Sequence, residues 1–351
     1  MPFDSRHGDD AEDRKLRRII DDALPYWGLQ RTGDASPVEG AVLNDNWRVP
    51  TNNGLHFVRL HSRTRERQRV DLEHAAIGWA AQHGLPVNPP LSDRDGRTAR
   101  SISGRIVAVF PWLDAQAPLS GEASPGMAAR LGDLHAQVHE AFRTFSHPGL
   151  PSGKSGAGWD THASIEALSR VDDLIRYYPS PGEWQLHVQE LLRYQLELLE
   201  SGIARPASDF EDIEVQPTHG DFHDRNVLFD GAGEVIAVVD WELVGRLPPL
   251  YEVCRAITFC GFLDPARGVR FDRYVGAYAA RLPVAPETAA RAVEMWWQSI
   301  LHNTWAYTAT FVRGNRRAAP FIDAGHHHLQ QLASETARRH LAHRIAAFGQ
   351  R

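Results

Sequence analysis

Apolar residues recur along this chain with two different periods, and the change between them divides it into unlike parts. Residues 1 to 16 are polar and strongly charged and are expected to be frayed. Leu16 to Leu24 has helical spacing and is predicted to stop at or just after Pro25. From Val38 to Leu60 the pattern is strand, Asn52-Asn53-Gly54 turn, strand. Asp71 to Gln82 predicts a helix capped by Gly84, and Pro86, Pro89 and Pro90 keep the next segment extended. Ala99 to Leu113 predicts two strands about Gly104, ending near Pro111.

After Pro111 the spacing becomes helical. Pro125 to Phe142 is amphipathic, residues 144 to 160 are rich in Ser, Pro and Gly and read as a loop, and helices are expected over 161–177 and 182–201. Residues 217 to 243 interrupt them with two short strands, NVLFD and VIAVVD, joined by the turn residues GAG. From Leu250 the pattern is helical to the end, with no internal repeat and no low-complexity tract. The predicted class is α+β: a small β-rich N-lobe over 1–111 and a larger, mostly helical C-lobe over 112–351, with a connector near 109–114. A cleft between unlike lobes is a natural ligand site.

Composition changes this picture little. The net charge of -6 argues against a polyanionic partner, so no nucleic acid is expected. Cys254 and Cys260 are too few for a disulfide framework and read as reduced core thiols. The first residues lack the apolar stretch of a secretory signal, and no apolar run approaches the ~20 residues of a membrane span. A cytoplasmic protein, monomer or homodimer, is expected.

The chemistry concentrates in His219-Gly220-Asp221-Phe222-His223-Asp224-Arg225-Asn226, followed past a hairpin by Asp240-Trp241-Glu242. A polar loop fed by short strands can present Asp221, Asn226 and Asp240 toward one point. Phosphoryl transfer from ATP needs that set: a carboxylate to take the acceptor proton, and hard oxygen donors for Mg2+. Asp221 fits the base, Asn226 the amide oxygen donor and Asp240 the charged one.

His-Gly-Asp, four residues, Asn, a hairpin and then Asp-Trp-Glu resemble the motif of the aminoglycoside phosphotransferase and type II homoserine kinase superfamily. Those proteins are similar in fold to protein kinases. The resemblance implies Asp221 as catalytic base, with Mg2+ held by Asn226 and Asp240. It implies that the segment around Gly40 covers the nucleotide and that Arg59 contacts ATP phosphates while paired with Glu73. It implies a hinge over Val107 to Pro111, with Val109 and Phe110 at the adenine edge. DLHAQVHEAF looks like the family's Leu-His scaffold helix, and His219 is expected to hold the catalytic loop through its backbone. Gly40 stands alone where a protein-kinase loop has three glycines, so the residues touching phosphate stay open.

Rival readings weigh on the same residues. His219, Asp221 and His223 have a spacing that permits zinc, but lack a nearby Cys. SGKSG at 152–156 imitates a phosphate loop, yet no glycine stands five residues before its GKS glycine, so it reads as a surface loop. His223 and Asp224 line the acceptor side or are solvated, and Glu242 is near the metals or bonds its own loop. Trp297, His302, Trp305 and Arg313 are candidates for the acceptor pocket, against the ordinary reading that an aromatic stripe is core. The sequence shows no acidic cluster late in the chain to suit a polycation. The expected function is an ATP-dependent small-molecule kinase acting on a sugar, amino alcohol or hydroxy amino acid. The alternatives are an antibiotic phosphotransferase or a protein Ser/Thr kinase of the same fold.

Overall fold

The structure is a computed structural model that describes residues 6–38, 42–118, 122–151 and 158–349, with side chains from Glu12 onward. Gly40 and the SGKSG loop lie outside the described residues. The chain forms two compact units: one takes in 1–116, 147–149 and 236–242, the other 117–146, 150–235 and 243–351. The first unit therefore includes a short stretch, 236–242, that the chain order alone would assign to the second.

In the first unit, β1 (Ser36–Pro37), β2 (Asp45–Thr51), β3 (Gly54–Leu60), β4 (Arg100–Ile102) and β5 (Arg105–Pro111) make an antiparallel sheet in the order β1-β2-β3-β5-β4. The Asn-Asn-Gly turn works because Gly54 takes φ +93°, which a side chain would resist. Helix α1 (Arg6–Ala23) is longer than expected. Its first turns carry no apolar period, so the pattern began only at Leu16. Leu16, Ile19, Ile20 and Ala23 then stack at i, i+3, i+4 and i+7 into a core with Trp47, Val49, Val58, Val107 and Val109. Helix α2 (Arg67–Gln82) carries Glu73 on its buried side, and Gly84 follows it at φ +74°.

The second unit is mainly helical: α3 (Pro125–Phe142), α4 (Thr161–Arg176), α5 (Glu183–Glu200), α6 (Pro249–Phe259), α7 (Gly268–Arg281) and α8 (Pro286–Leu301). A short α9 (Trp305–Tyr307) runs into a π-helical turn at Thr308–Val312, and α10 (Pro320–Leu332) and α11 (Glu335–Ala346) follow. Ser124 caps α3 by accepting from Met127 N at 3.2 Å, and Asp160 caps α4 through Ala163 N at 2.7 Å. The expected short strands are β7 (Val227–Phe229), in this unit, and β8 (Val235–Val238), most of which belongs to the first; in the turn that joins them Asp230 Oδ1 accepts from Ala232 N and Glu234 N. Two further strands, β6 (Gln216–Thr218) and β9 (Gly245–Leu247), pair antiparallel and bracket the polar loop.

Gly132 sets how closely α3 and α7 pack. A Cβ there would lie 2.0 Å from the carbonyl oxygen of Tyr274. That approach brings His135 and His139, one turn apart on α3, against Tyr274 and Tyr278, one turn apart on α7. Among the described residues no helix is long and apolar enough to cross a membrane.

Candidate functional site

The residues singled out by the sequence fall into two clusters, one in each unit. In the second unit the polar loop after β6 is fixed from below. Gly220 adopts φ +85°, and a Cβ on it would meet the Leu243 carbonyl oxygen at 2.0 Å, so only glycine fits. The N–H of Gly220 donates to Oε1 of Glu252 on α6. Oε2 of Glu252 accepts from Nε2 of His135 at 3.1 Å and of His139 at 2.8 Å. Their other ring nitrogens then accept from the hydroxyls of Tyr274 and of Tyr278, the latter at 2.8 Å. Burial works against the Glu252 charge, but the two imidazole hydrogen bonds hold its carboxyl well below the usual range. Burial also lowers His135 to about 3, with His139 acting in the same direction, so its ring is neutral.

His135, His139 and Glu252 have ligand atoms close enough together to surround a metal ion. Their hydrogen bonds argue for scaffold instead: both ring nitrogens of each histidine are already engaged. His219, Asp221 and His223 form no such group among the described residues, and the zinc reading of that spacing finds no support. His219 Nδ1 accepts from Asp221 N at 3.2 Å, and His223 Nδ1 from Arg225 N at 3.2 Å, so both rings brace the loop backbone. Phe222 anchors the loop from the apolar side, stacked on His135 with centroids 4.1 Å apart.

Asp221 and Asn226 stand together in this loop. Asn226 Nδ2 donates to the Asp221 carbonyl at 2.9 Å, which leaves the amide oxygen as the atom able to ligand a cation. The Asp221 carboxylate is paired with Arg255 of α6, a residue that sequence reading did not single out. His223 Nε2 lies 3.4 Å from the same carboxylate oxygen. Burial would raise the Asp221 pKa, but Arg255, then His223 and His219, outweigh it and hold the carboxyl well below its ordinary value. Asp224 is fully buried, its N–H donating to Cys260 Sγ at 3.3 Å, and His223 is buried too, so neither is a solvated loop residue. Cys254 and Cys260 are free and buried, and burial raises both thiols.

In the first unit the ion pair suggested by the resemblance is present: Arg59 Nη1 donates to Glu73 Oε1 at 2.9 Å. The same nitrogen lies 3.6 Å from Asp240 Oδ1, and Arg65 Nη2 lies 3.6 Å from Glu73 Oε2. Burial opposes the Arg59 charge, but Asp240, Glu73 and Glu242 raise its pKa on balance. Burial pushes Glu73 up to about 7, with Asp240 and Glu242 adding to the rise and Arg59 and Arg65 opposing it. Asp240 sits at φ +63°, a conformation that aspartate tolerates better than most residues and that costs about 1 kcal/mol or more. The turn is held by Trp241, buried, whose indole donates to the Val238 carbonyl at 3.1 Å. Glu242 accepts from Asn44 Nδ2 at 2.9 Å, and its carbonyl accepts from Arg65 and Arg69, so it bonds within its own surroundings.

Other candidates are placed less favourably for ligand contact. The Val109 carbonyl accepts Leu91 N at 2.7 Å and Phe110 pairs with Phe57 across the sheet, so both lie within β5 rather than in a free connector. Trp297 has no exposed surface, with Arg338 over its ring at 4.9 Å. His302 is buried and donates from Nδ1 to the Gln298 carbonyl at 2.7 Å, while Nε2 accepts from Thr161 at 2.9 Å. Both are core residues rather than open faces. Trp305 is half-buried against Phe321, and Arg313 is exposed beyond the π-helical turn.

Comparison with known proteins identifies the pattern. The profile of the Phosphotransferase enzyme family matches residues 34–292. A homoserine kinase of Rhodopseudomonas palustris is 28% identical over 286 residues, 80% of this chain and 78% of its own. A homoserine kinase of a Caulobacter species is 29% identical over 280 residues, 76% of this chain and 79% of its own. Among solved structures, a spectinomycin phosphotransferase in complex with ADP and spectinomycin matches with a TM-score of 0.60 at 14% identity, over 93% of this chain and 97% of its own. A microcompartment-associated aminopropanol kinase matches with a TM-score of 0.56 at 16% identity, over 95% and 99%. These structural matches bear out the expected α+β, protein-kinase-like fold.

Proposed function

Because the chain belongs to the Phosphotransferase enzyme family, we propose that it is a small-molecule kinase that moves the γ-phosphoryl group of ATP to a hydroxyl. The observation that carries this reading is the loop from His219 to Asn226, where one hydrogen bond ties the amide of Asn226 to the backbone of Asp221. It keeps a carboxylate and an amide oxygen in fixed relation on one rigid loop. Asp221 is the base: it takes the proton as the acceptor oxygen bonds to the γ-phosphorus, and the bond to the β,γ-bridging oxygen breaks to release ADP.

The donor types suit Mg2+. Asn226 in the second unit carries an amide oxygen and Asp240 in the first a carboxylate, each a hard ligand type for Mg2+, and Asp240 Oδ1 is buried with no hydrogen-bond partner among the described residues. When bound there, Mg2+ would neutralise phosphate charge. Arg59 contributes fixed positive charge toward the phosphates, and Glu73 sets its orientation. The homoserine and aminopropanol kinases among the relatives support a small hydroxyl compound as acceptor.

A screen of ADP release with Mg2+ and ATP across hydroxy amino acids, amino alcohols, sugars and aminoglycosides tests the reading. Acceptor-dependent ADP release from one compound class is expected. Its absence across all four would contradict it.

A further inference from the structure

The guanidinium of Arg255 pairs with the Asp221 carboxylate and lies over the Phe259 ring, 4.4 Å from its centroid. The same ring gathers one more arginine and two imidazoles. Arg225 stands 6.0 Å from the centroid, His223 is stacked on it at 5.6 Å, and His328 approaches at 5.1 Å. At the Asp221 carboxylate itself the near neighbours are Arg255 and His223.

That arrangement conflicts with the task of a base. An arginine paired with Asp221 occupies one of its two carboxylate oxygens and weakens the basicity of the group. Beyond that pair, the Arg255 guanidinium has no hydrogen bond to any described residue, and its side chain keeps 15% of its surface exposed. Its remaining N–H groups are donors in a planar fork, the geometry that grips a carboxylate with two parallel bonds. A cationic acceptor without an acid group would be repelled by the Arg255 guanidinium and would leave its free N–H groups unmatched.

We infer that Arg255 is a specificity residue that binds a carboxylate of the acceptor, and that this exchange of partners frees Asp221 for the acceptor hydroxyl. The substrate class is then a hydroxy acid, with or without an amine. This rests on the proposed role of Asp221. The exchange couples acceptor arrival to exposure of the base, so Asp221 stays masked when ATP alone is bound.

Matched acceptors test it: homoserine against 3-aminopropan-1-ol, and gluconate against sorbitol, each pair differing in the carboxylate. For at least one pair the acid is expected to be favoured in kcat/KM on the order of 10- to 100-fold, as for a hydrogen-bonded charge. Arg255→Met should erase that preference, chiefly through KM, and Arg255→Lys should retain part of it. Equal use of both members, or a preference that survives Arg255→Met, overturns the inference. Direct binding of the same four compounds to the wild-type protein decides the matter even without turnover: no tighter binding of either acid overturns it. ADP release with a neutral acceptor alone would sink the inference while leaving the kinase reading intact. Failure of every acceptor class to release ADP would sink the kinase reading itself.

Discussion

The carboxylate of Glu252 on α6 accepts the backbone N–H of Gly220, so the loop that carries Asp221 hangs from a buried charge 32 residues further along the chain. That charge is itself held by His135 and His139. Removing it leaves two imidazole donors and one backbone donor buried without an acceptor. Glu252→Ala is therefore expected to cost about 3–5 kcal/mol of stability, the range for breaking a buried, hydrogen-bonded charge network. Urea denaturation of the variant beside the wild type checks this. A midpoint shift worth less than about 1 kcal/mol would mean that the network does not support the loop.

The same network sets a pH dependence. His135 is depressed to about 3 by burial, so between its unfolded value of about 6.5 and that point the unfolded chain binds more protons than the native one. Glu252 lies well below its ordinary value, so its contribution is present above about pH 4.3 and is lost as pH falls further. Both signs agree. Stability is predicted to fall on acidification below about pH 6.5, and more steeply below about pH 4.3. Urea midpoints measured from pH 7 to pH 3.5 read it directly; a midpoint constant over that interval would contradict it.

Gly132 offers a test that touches no polar group. Its missing Cβ lets α3 approach the Tyr274 carbonyl, and a methyl there would sit 2.0 Å from that oxygen. Gly132→Ala is predicted to force α3 and α7 apart and to destabilise by about 1–3 kcal/mol or more, although alanine is the better helix former. A stabilised variant would show that the close helix crossing is wrong.

Much of this organisation was legible in the sequence because local chemistry encoded it. The Asn-Asn-Gly hairpin, the turn after NVLFD and the caps of α3 and α4 each follow from residues a few positions apart. The partner residues were not legible. Arg255 reads as a polar position in an amphipathic helix, and Glu252 as one more carboxylate beside Pro248 and Pro249. Only packing brings them to a loop more than 30 residues earlier. The one local clue was the i, i+4 spacing of His135 and His139 in an otherwise apolar stripe, matched by Tyr274 and Tyr278. Helix α1 was underestimated because its first turns carry no apolar period to read. The stripe near Trp297 follows its ordinary reading as core, although periodicity marks a buried face without saying what buries it.

The central claim is that Asp221 is the base of an ATP-dependent phosphoryl transfer. Acceptor-dependent ADP release by Asp221→Asn, with ATP affinity measured on the same preparation, tests it most directly. The predicted result is a fall in turnover on the order of 10²- to 10⁴-fold with ATP binding retained. Turnover equal to that of the wild type would contradict it.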